Sequence, residues 1–235
     1  MVLINNYMRT LLISLGCSWT EGMGIYTEGQ VKYWDGPLRK DNWPLGLIAE
    51  YSWPSQVARA KNWQVQNLGL SGGSNSGAAK RLIMGNIDTA NYDCVKVIWL
   101  LSGSNRFSFY KYSEIKDFNL GSKSTHPEIL RAYVAEVSTD QGERLETEFY
   151  LKTVYHYCKS RGWEFNYWTC WEQYWCSHVI EGVPREHNLA PKLNYRTAKT
   201  VVRLADELKG NMFAPCNHPN QKGYAEIADQ IISVV

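Results

Sequence analysis

The sequence predicts an α/β domain in which a mostly parallel β-sheet is the middle of three layers. Short apolar runs alternate along the chain with segments whose apolar residues recur at helical spacing. The runs are apolar at successive positions, which is typical of strands buried on both faces. A chain of 235 residues with 44% hydrophobic residues suits one such unit. We therefore predict a single domain over residues 1–235.

Four strands are predicted. The first and third are the apolar runs at residues 11–15 and 95–101, and the second is the strand-like segment at residues 63–68. In residues 163–167, aromatic side chains alternate with polar ones, which predicts a fourth strand. Because strands separated by helices pair in parallel through right-handed crossovers, the sheet is expected to be flavodoxin-like. Ligands of such sheets bind beyond the carboxyl ends of the strands.

Helices are predicted between and after these strands. The first begins at Ser52, a favourable N-cap residue, with Pro54 tolerated in the first turn, and it runs to about Lys61. The others are predicted from apolar faces at helical spacing. These faces are Ala78, Leu82 and Ile83; Leu151, Val154, Tyr155 and Cys158; Val201, Leu204, Ala205 and Leu208; and Tyr224, Ile227, Ala228 and Ile231.

Long insertions interrupt this pattern at residues 23–51, 106–141 and 169–193. Long loops in a compact domain usually carry function or are disordered, so these are expected to surround the site and set its specificity. Many of the ten Trp and fifteen Tyr lie in residues 26–63 and 163–175. Their rings could present flat, half-polar faces to sugars, or pack the loops onto the sheet. The sequence is compatible with both interpretations.

Composition excludes several classes of partner. The net charge of +2 provides no general attraction to nucleic acid or to acidic membranes. The sequence has no run of eighteen apolar residues, so no membrane span is predicted. Residues 1–10 lack the pattern of a secretion signal, which favours a cytoplasmic location. Neither nucleic acid nor a membrane is therefore an expected partner.

The six cysteines include no Cys-x-x-Cys pair, and in a chain of this length they are expected to be reduced thiols. Cys170, Cys176, His178 and His187 lie close enough in sequence to suggest zinc. Their spacing fits no standard finger, so no metal is predicted.

Four short motifs follow predicted strands or precede the last predicted helix. They are GCSWTEG at residues 16–22, NLGLSGGS at 67–74, LSGSN at 101–105 and HPNQKGY at 218–224. With these motifs in this order, the chain resembles the SGNH (GDSL-type) hydrolase family of esterases and lipases. The resemblance spans most of the chain, and it implies neither a metal nor an organic cofactor.

The first and last motifs contain a candidate nucleophile and base. Ser18 lies where a strand turns into a loop, and His218 precedes a helix far along the chain. A serine hydroxyl attacks poorly unless a base accepts its proton. The resemblance implies that Ser18 is the nucleophile and His218 the general base. Cys17 stands where the family has aspartate, and it is itself an alternative nucleophile.

The resemblance also implies an oxyanion hole, which is a set of donors for the charged oxygen of the tetrahedral intermediate. The implied donors are the backbone N–H groups of Ser18 and Gly72 and the side-chain amide of Asn105. Because the second motif contains three glycines, Gly69 and Gly73 remain alternatives to Gly72.

One departure from the family concerns the group that orients the histidine. The family has an aspartate three residues before it, and this chain has Pro215. A backbone carbonyl near Pro215 could accept the imidazole N–H, which gives a Ser-His dyad. A carboxylate such as Glu21 or Glu172, or the side-chain oxygen of Asn217, could substitute. Alternatively, the site binds its ligand without catalysing a reaction.

Two functions of different classes follow. The first is a serine-dependent acyl ester hydrolase acting on a small-molecule or carbohydrate ester, with carbohydrate O-deacetylation as its narrower form. The second is a binding module on the same fold that recognises a glycan or a protein partner. The missing aspartate favours the second, whereas the joint presence of Ser18, Asn105 and His218 favours the first.

Overall fold

The computed structural model describes residues 8–25, 45–103, 106–111, 114–119, 140–169, 187–188, 212 and 218–235. Its strands are β1 (Thr10–Leu15), β2 (Gln64–Asn67), β3 (Cys94–Leu100), β4 (Arg106–Lys111), β5 (Glu114–Asn119), β6 (Glu164–Thr169) and β7 (His187–Asn188). Its helices are α1 (Ser18–Glu21), α2 (Leu45–Tyr51), α3 (Trp53–Lys61), α4 (Asn75–Met84), α5 (Asp140–Ser160) and α6 (Gln221–Ile232).

The main sheet has five strands in the order β2-β1-β3-β6-β7, and every pair of neighbours is parallel. Counted within this sheet, the order is 2-1-3-4-5, which is that of flavodoxin-like folds. All six residues of β1 are buried, as expected of a strand covered on both faces. The predicted parallel, flavodoxin-like sheet is therefore confirmed.

Helices cover both faces of this sheet. Alternate side chains of the strands enter two separate hydrophobic clusters. One cluster joins Leu12 and Ile98 of the strands to residues of α3 and α6. The other joins Ile13 and Val97 to residues of α4 and α5. Because neighbouring side chains of a strand point to opposite faces, the sheet is the middle of three layers, as predicted.

The insertions contain more regular structure than the sequence pattern indicates. Helix α2 lies in the insertion at residues 23–51, the antiparallel hairpin β4–β5 lies in that at 106–141, and β7 lies in that at 169–193. The prediction of irregular loops is wrong for these parts. Strand β7 has two residues, so its periodicity could not be recognised. The helix predicted over residues 201–208 lies outside the described residues.

The tryptophans of the aromatic-rich stretches that the structure describes mostly belong to the core. Trp53 and Trp168 are almost completely buried on the same face of the sheet. Trp63 is half-buried, and its ring contacts Lys96 near the amino end of β3. For these residues the packing interpretation holds. The remaining tryptophans of the two stretches, apart from the half-buried Trp163, lie outside the described residues.

Three cysteines can be assessed. Cys17, Cys94 and Cys158 are free thiols. Burial raises the pKa of the Cys158 thiol to about 12, so this group stays protonated at neutral pH. These three agree with the predicted reduced cysteines. In the part of the chain that the structure describes, no helix has the length and apolar character needed to cross a bilayer.

Candidate active site

Ser18 lies on a tight turn between β1 and the four-residue helix α1. At Gly16 the chain has φ +149°, and an added Cβ would lie 2.2 Å from Oγ1 of Thr20 and 2.6 Å from the carbonyl oxygen of Leu100. Thr20 Oγ1 donates a hydrogen bond of 3.1 Å to the carbonyl oxygen of Leu15, which closes the turn. The turn therefore requires glycine at residue 16 and holds Ser18 just past the end of the strand.

Substitution of Gly16 by alanine is expected to destabilise the protein, because the new Cβ would overlap Thr20 and the backbone of Leu100. Overpacking of this kind typically costs about 1–3 kcal/mol. The matched control is Gly46→Ala in α2, where an added Cβ would meet nothing within 4 Å. There the gain in helix propensity is about 0.5–1 kcal/mol. Urea unfolding of both variants measures the difference, and equal midpoints would contradict the steric argument.

His218 meets Ser18 although the two residues are 200 positions apart in sequence. Nε2 of His218 lies 2.9 Å from Oγ of Ser18. His218 lies two residues before Asn220, the N-cap residue of α6, and the side chain of Asn220 accepts the backbone N–H of Gly223 at 3.1 Å. The capped start of α6 thus fixes the position of the short segment that contains His218. The structure brings the two predicted residues into hydrogen-bond contact.

Two further contacts hold α6 against the Ser18 turn. The hydroxyl of Tyr224 donates to the carbonyl oxygen of Met23 at 2.8 Å, just past α1. Gly24 packs so tightly that an added Cβ would lie 2.8 Å from Cβ of His218. The sequence pattern assigns Tyr224 only to the apolar face of a helix. Its polar end has a second role, which no periodicity could show.

The segment at residues 68–74, here called the glycine loop, lies beside α1. The N–H of Gly69 donates to Oδ1 of Asn67 at 2.9 Å, and that of Gly73 to the carbonyl oxygen of Leu70 at 2.8 Å. The N–H of Gly72 has no acceptor among the described residues. Gly72 has φ +76°, and an added Cβ there would meet nothing within 4 Å. Of the three glycines, Gly72 is the one with its N–H unused and open space beside it.

Cys17 and Ser18 are adjacent but differ in surroundings. The side chain of Cys17 is 1% exposed and belongs to the hydrophobic cluster below α3 and α6. The hydroxyl of Ser18 contacts His218. The N–H of Ser18, at the start of α1, has no acceptor in the described parts of the chain. Of the two adjacent side chains, that of Ser18 is the one in contact with His218.

Several predicted residues cannot be placed. Asn105, Pro215, Asn217 and Glu172 lie outside the described residues, and so do Cys170, Cys176 and His178 of the zinc alternative. Glu21, one of the candidate replacements for the aspartate, is described. Its carboxylate accepts the backbone N–H of Ser71 in the glycine loop. The group that orients His218 stays a prediction.

Two amide side chains, those of Asn67 and the buried Asn75, connect the strand ends around the site. Asn67 accepts the hydroxyl of Ser14 at 3.1 Å, and its Nδ2 donates to the carbonyl oxygen of Thr20 at 2.8 Å. Asn75, 3% exposed, pairs with the backbone of Ser102 through bonds of 2.8 and 3.1 Å. Buried polar groups are normally bonded in this way. These contacts join the ends of β1, β2 and β3, and sequence reasoning did not assign them.

No family model matches the sequence, and no curated protein matches it either. Comparison with solved structures does find similar folds. The structural neighbours are lipolytic proteins and esterases.

One neighbour is a lipolytic protein of the G-D-S-L family from Desulfitobacterium hafniense, with 13% identity, a TM-score of 0.45 and coverage of 97% of this chain and 100% of the neighbour. An acetyl xylan esterase from Butyrivibrio proteoclasticus has 13% identity, a TM-score of 0.47 and coverage of 97% and 63%. A family two carbohydrate esterase from Clostridium thermocellum, solved with cellohexaose, has 12% identity, a TM-score of 0.45 and coverage of 96% and 62%. The chain thus spans less than two thirds of these two esterases. The likenesses concern the overall fold, and a function for this chain depends on the residues around Ser18.

Proposed function

We propose that this protein is a serine-dependent acyl ester hydrolase with Ser18 as the nucleophile and His218 as the general base. The observation that carries the proposal is the contact of 2.9 Å between Ser18 Oγ and His218 Nε2 at the carboxyl ends of the strands. A serine and a histidine at this separation form the reactive pair of acyl-transfer enzymes. Ligands of this type of sheet bind at the same edge.

The proposed reaction has two stages. Ser18 Oγ attacks the carbonyl carbon of the ester while its proton passes to Nε2 of His218. When the tetrahedral intermediate collapses, the bond to the alcohol breaks, and the alcohol leaves with the proton from His218. In the second stage His218 takes a proton from water, which attacks the acyl-enzyme. The acid then leaves, and Ser18 regains its proton.

The negative charge of the intermediate requires donors that are already in place. The N–H groups of Ser18 and Gly72 support this role, because neither has an acceptor within the described residues. Asn105 completes the proposed set by resemblance to the SGNH family. Loss of one such donor typically lowers kcat by about 10²–10³.

The narrower proposal is removal of acetyl groups from carbohydrate. It is supported by the number of Trp and Tyr residues in the chain, although Trp53 and Trp168 belong to the core. A small-molecule ester is the broader alternative.

A panel of esters tests the proposal. Purified protein is assayed with p-nitrophenyl acetate, butyrate and octanoate and with acetylated xylo-oligosaccharides, while a fluorophosphonate probe reports a reactive serine. We expect hydrolysis with a preference for acetyl esters, and labelling that peptide mapping assigns to Ser18. Acetate release from the sugars would support the carbohydrate form. No hydrolysis and no labelling would contradict the proposal and favour a glycan- or protein-binding module.

A further inference from the structure

The glycine loop is held at both ends by charged side chains. At one end the carboxylate of Glu21 accepts the N–H of Ser71. At the other, the carbonyl oxygen of Gly73 accepts Oγ–H of Ser102 at 2.9 Å and an Nη1–H of Arg106 at 3.3 Å. Gly72, with its unused N–H, lies between these two anchored peptides.

A loop of this composition needs such anchors. Glycine has more backbone freedom than any other residue, so two successive glycines alone would leave the Gly72 N–H poorly oriented. An oxyanion donor is effective only when it is aligned before the reaction, because then no reorganisation accompanies the chemical step. Bonds to the flanking N–H and C=O groups restrict the peptides on either side of Gly72. They therefore set the direction of its N–H.

Glu21 also connects the loop to the nucleophile. It is the last residue of α1, and Ser18 is the first. Its bond to Ser71 therefore joins the helix that carries the hydroxyl to the loop that carries the donor. Asn67 reinforces this connection, because its side chain bonds both Thr20 of α1 and Gly69 of the loop. Nucleophile and donor are thereby kept in one arrangement.

Arg106 is placed in an unusual way for a cation. Its Nε is buried without a hydrogen-bond partner, and among the described residues it forms no ion pair with a carboxylate. Removing a charged group from water is costly unless hydrogen bonds or an ion pair replace the lost hydration. Its contact with the carbonyl oxygen of Gly73 supplies a reason for its position.

We propose that Glu21 and Arg106 are positioning residues that hold the glycine loop by its Ser71 N–H and Gly73 C=O and so direct the Gly72 N–H at the oxyanion formed on Ser18. The inference rests on the proposed ester hydrolysis. It adds a role for two side chains that do not themselves touch the substrate.

The test compares kcat and KM of Glu21→Ala, Glu21→Gln and Arg106→Met with the wild type. We expect kcat to fall about 10- to 100-fold in Glu21→Ala and Arg106→Met, which is the range for slight misplacement of a catalytic group. KM should stay within about threefold, because the ground-state ester does not use the oxyanion donors fully. Affinity for a boronic acid, which forms a tetrahedral adduct on serine, should fall in parallel with kcat. Glutamine keeps an acceptor oxygen and should restore most of the activity.

Matched controls lie at the amino ends of the strands, opposite the carboxyl ends where Ser18 lies. Glu164 begins β6 and pairs with Lys96, and Arg161 lies just before that strand. Glu164→Ala removes a carboxylate and Arg161→Met removes a guanidinium, as the site variants do, but at positions distant from Ser18. The kcat of both controls should therefore equal that of the wild type. A loss of activity in the controls equal to that of the site variants would overturn the positioning role.

A second measurement does not depend on activity. Hydrogen exchange of the Ser71 amide, followed by NMR, should be slow in the wild type and Glu21→Gln and fast in Glu21→Ala. If the wild type hydrolyses esters and Glu21→Ala matches it in kcat and in Ser71 exchange, the inference is wrong while the proposed function stands. If the wild type hydrolyses none of the esters, the proposed function fails, and Ser71 exchange still decides whether Glu21 holds the loop. Arg106→Met tests the other end of the loop should Glu21→Ala not fold.

Discussion

Ser18→Ala is expected to lower kcat for p-nitrophenyl acetate by about 10⁴-fold or more, to the residual rate that substrate binding and the oxyanion hole provide. The reason is that the described structure gives the Ser18 hydroxyl one partner, Nε2 of His218. Removing the hydroxyl removes the atom that attacks the ester carbon. The fold should survive, because the side chain of Ser18 makes no other hydrogen bond among the described residues.

Cys17→Ser provides the control for this variant. Cys17 is 1% exposed and packs in the core, so its thiol has no route to the substrate. The variant should keep the kcat of the wild type, with some loss of thermal stability from placing a hydroxyl in an apolar cluster. The reverse pattern, with activity lost in Cys17→Ser and kept in Ser18→Ala, would show that the nucleophile is Cys17.

His218→Ala is expected to reduce kcat to a similar level, because the serine then lacks an acceptor for its proton. Residues that act as one unit do not have additive effects. The double variant Ser18→Ala/His218→Ala should therefore be no slower than either single variant, within about threefold. Steady-state rates with p-nitrophenyl acetate at one pH provide the comparison.

His156→Ala is the matched control for the histidine. His156 is exposed on α5, where its ring packs edge-on against Tyr155. Its removal should leave kcat unchanged. If the effects of Ser18→Ala and His218→Ala instead multiply, the two side chains work independently, and the contact of 2.9 Å does not represent a catalytic pair.

The fold was largely predictable because its signals are local. The apolar run at β1 and the helical faces of α4, α5 and α6 each appear within a few residues of sequence. By contrast, β2 is shorter than predicted and mostly exposed, since an edge strand is covered less than a central one. The hairpin β4–β5 lies within the insertion at residues 106–141, where the sequence pattern predicts a long loop.

Part of the candidate site was likewise predictable from local sequence, and part of it depends on the folded chain. Sequence motifs at strand ends identify Ser18 and the glycine loop as neighbours, because the carboxyl ends of parallel strands share one edge of the sheet. The motifs do not distinguish Gly69, Gly72 and Gly73 as candidate oxyanion donors. Hydrogen bonds of the folded chain make Gly69 and Gly73 donors to Asn67 and Leu70. Of these three glycines, Gly72 is the one whose N–H has no acceptor among the described residues.

The sequence by itself determined the order of strands and helices and the residue types at the strand ends, because periodicity and motifs are properties of neighbouring residues. Tertiary structure alone decided that His218 reaches Ser18 across 200 residues, and that Glu21 and Arg106 meet the glycine loop. These contacts depend on how α6 packs beside α1 and how β3 leads into β4. Such packing is set by the complete core, and no local pattern encodes it.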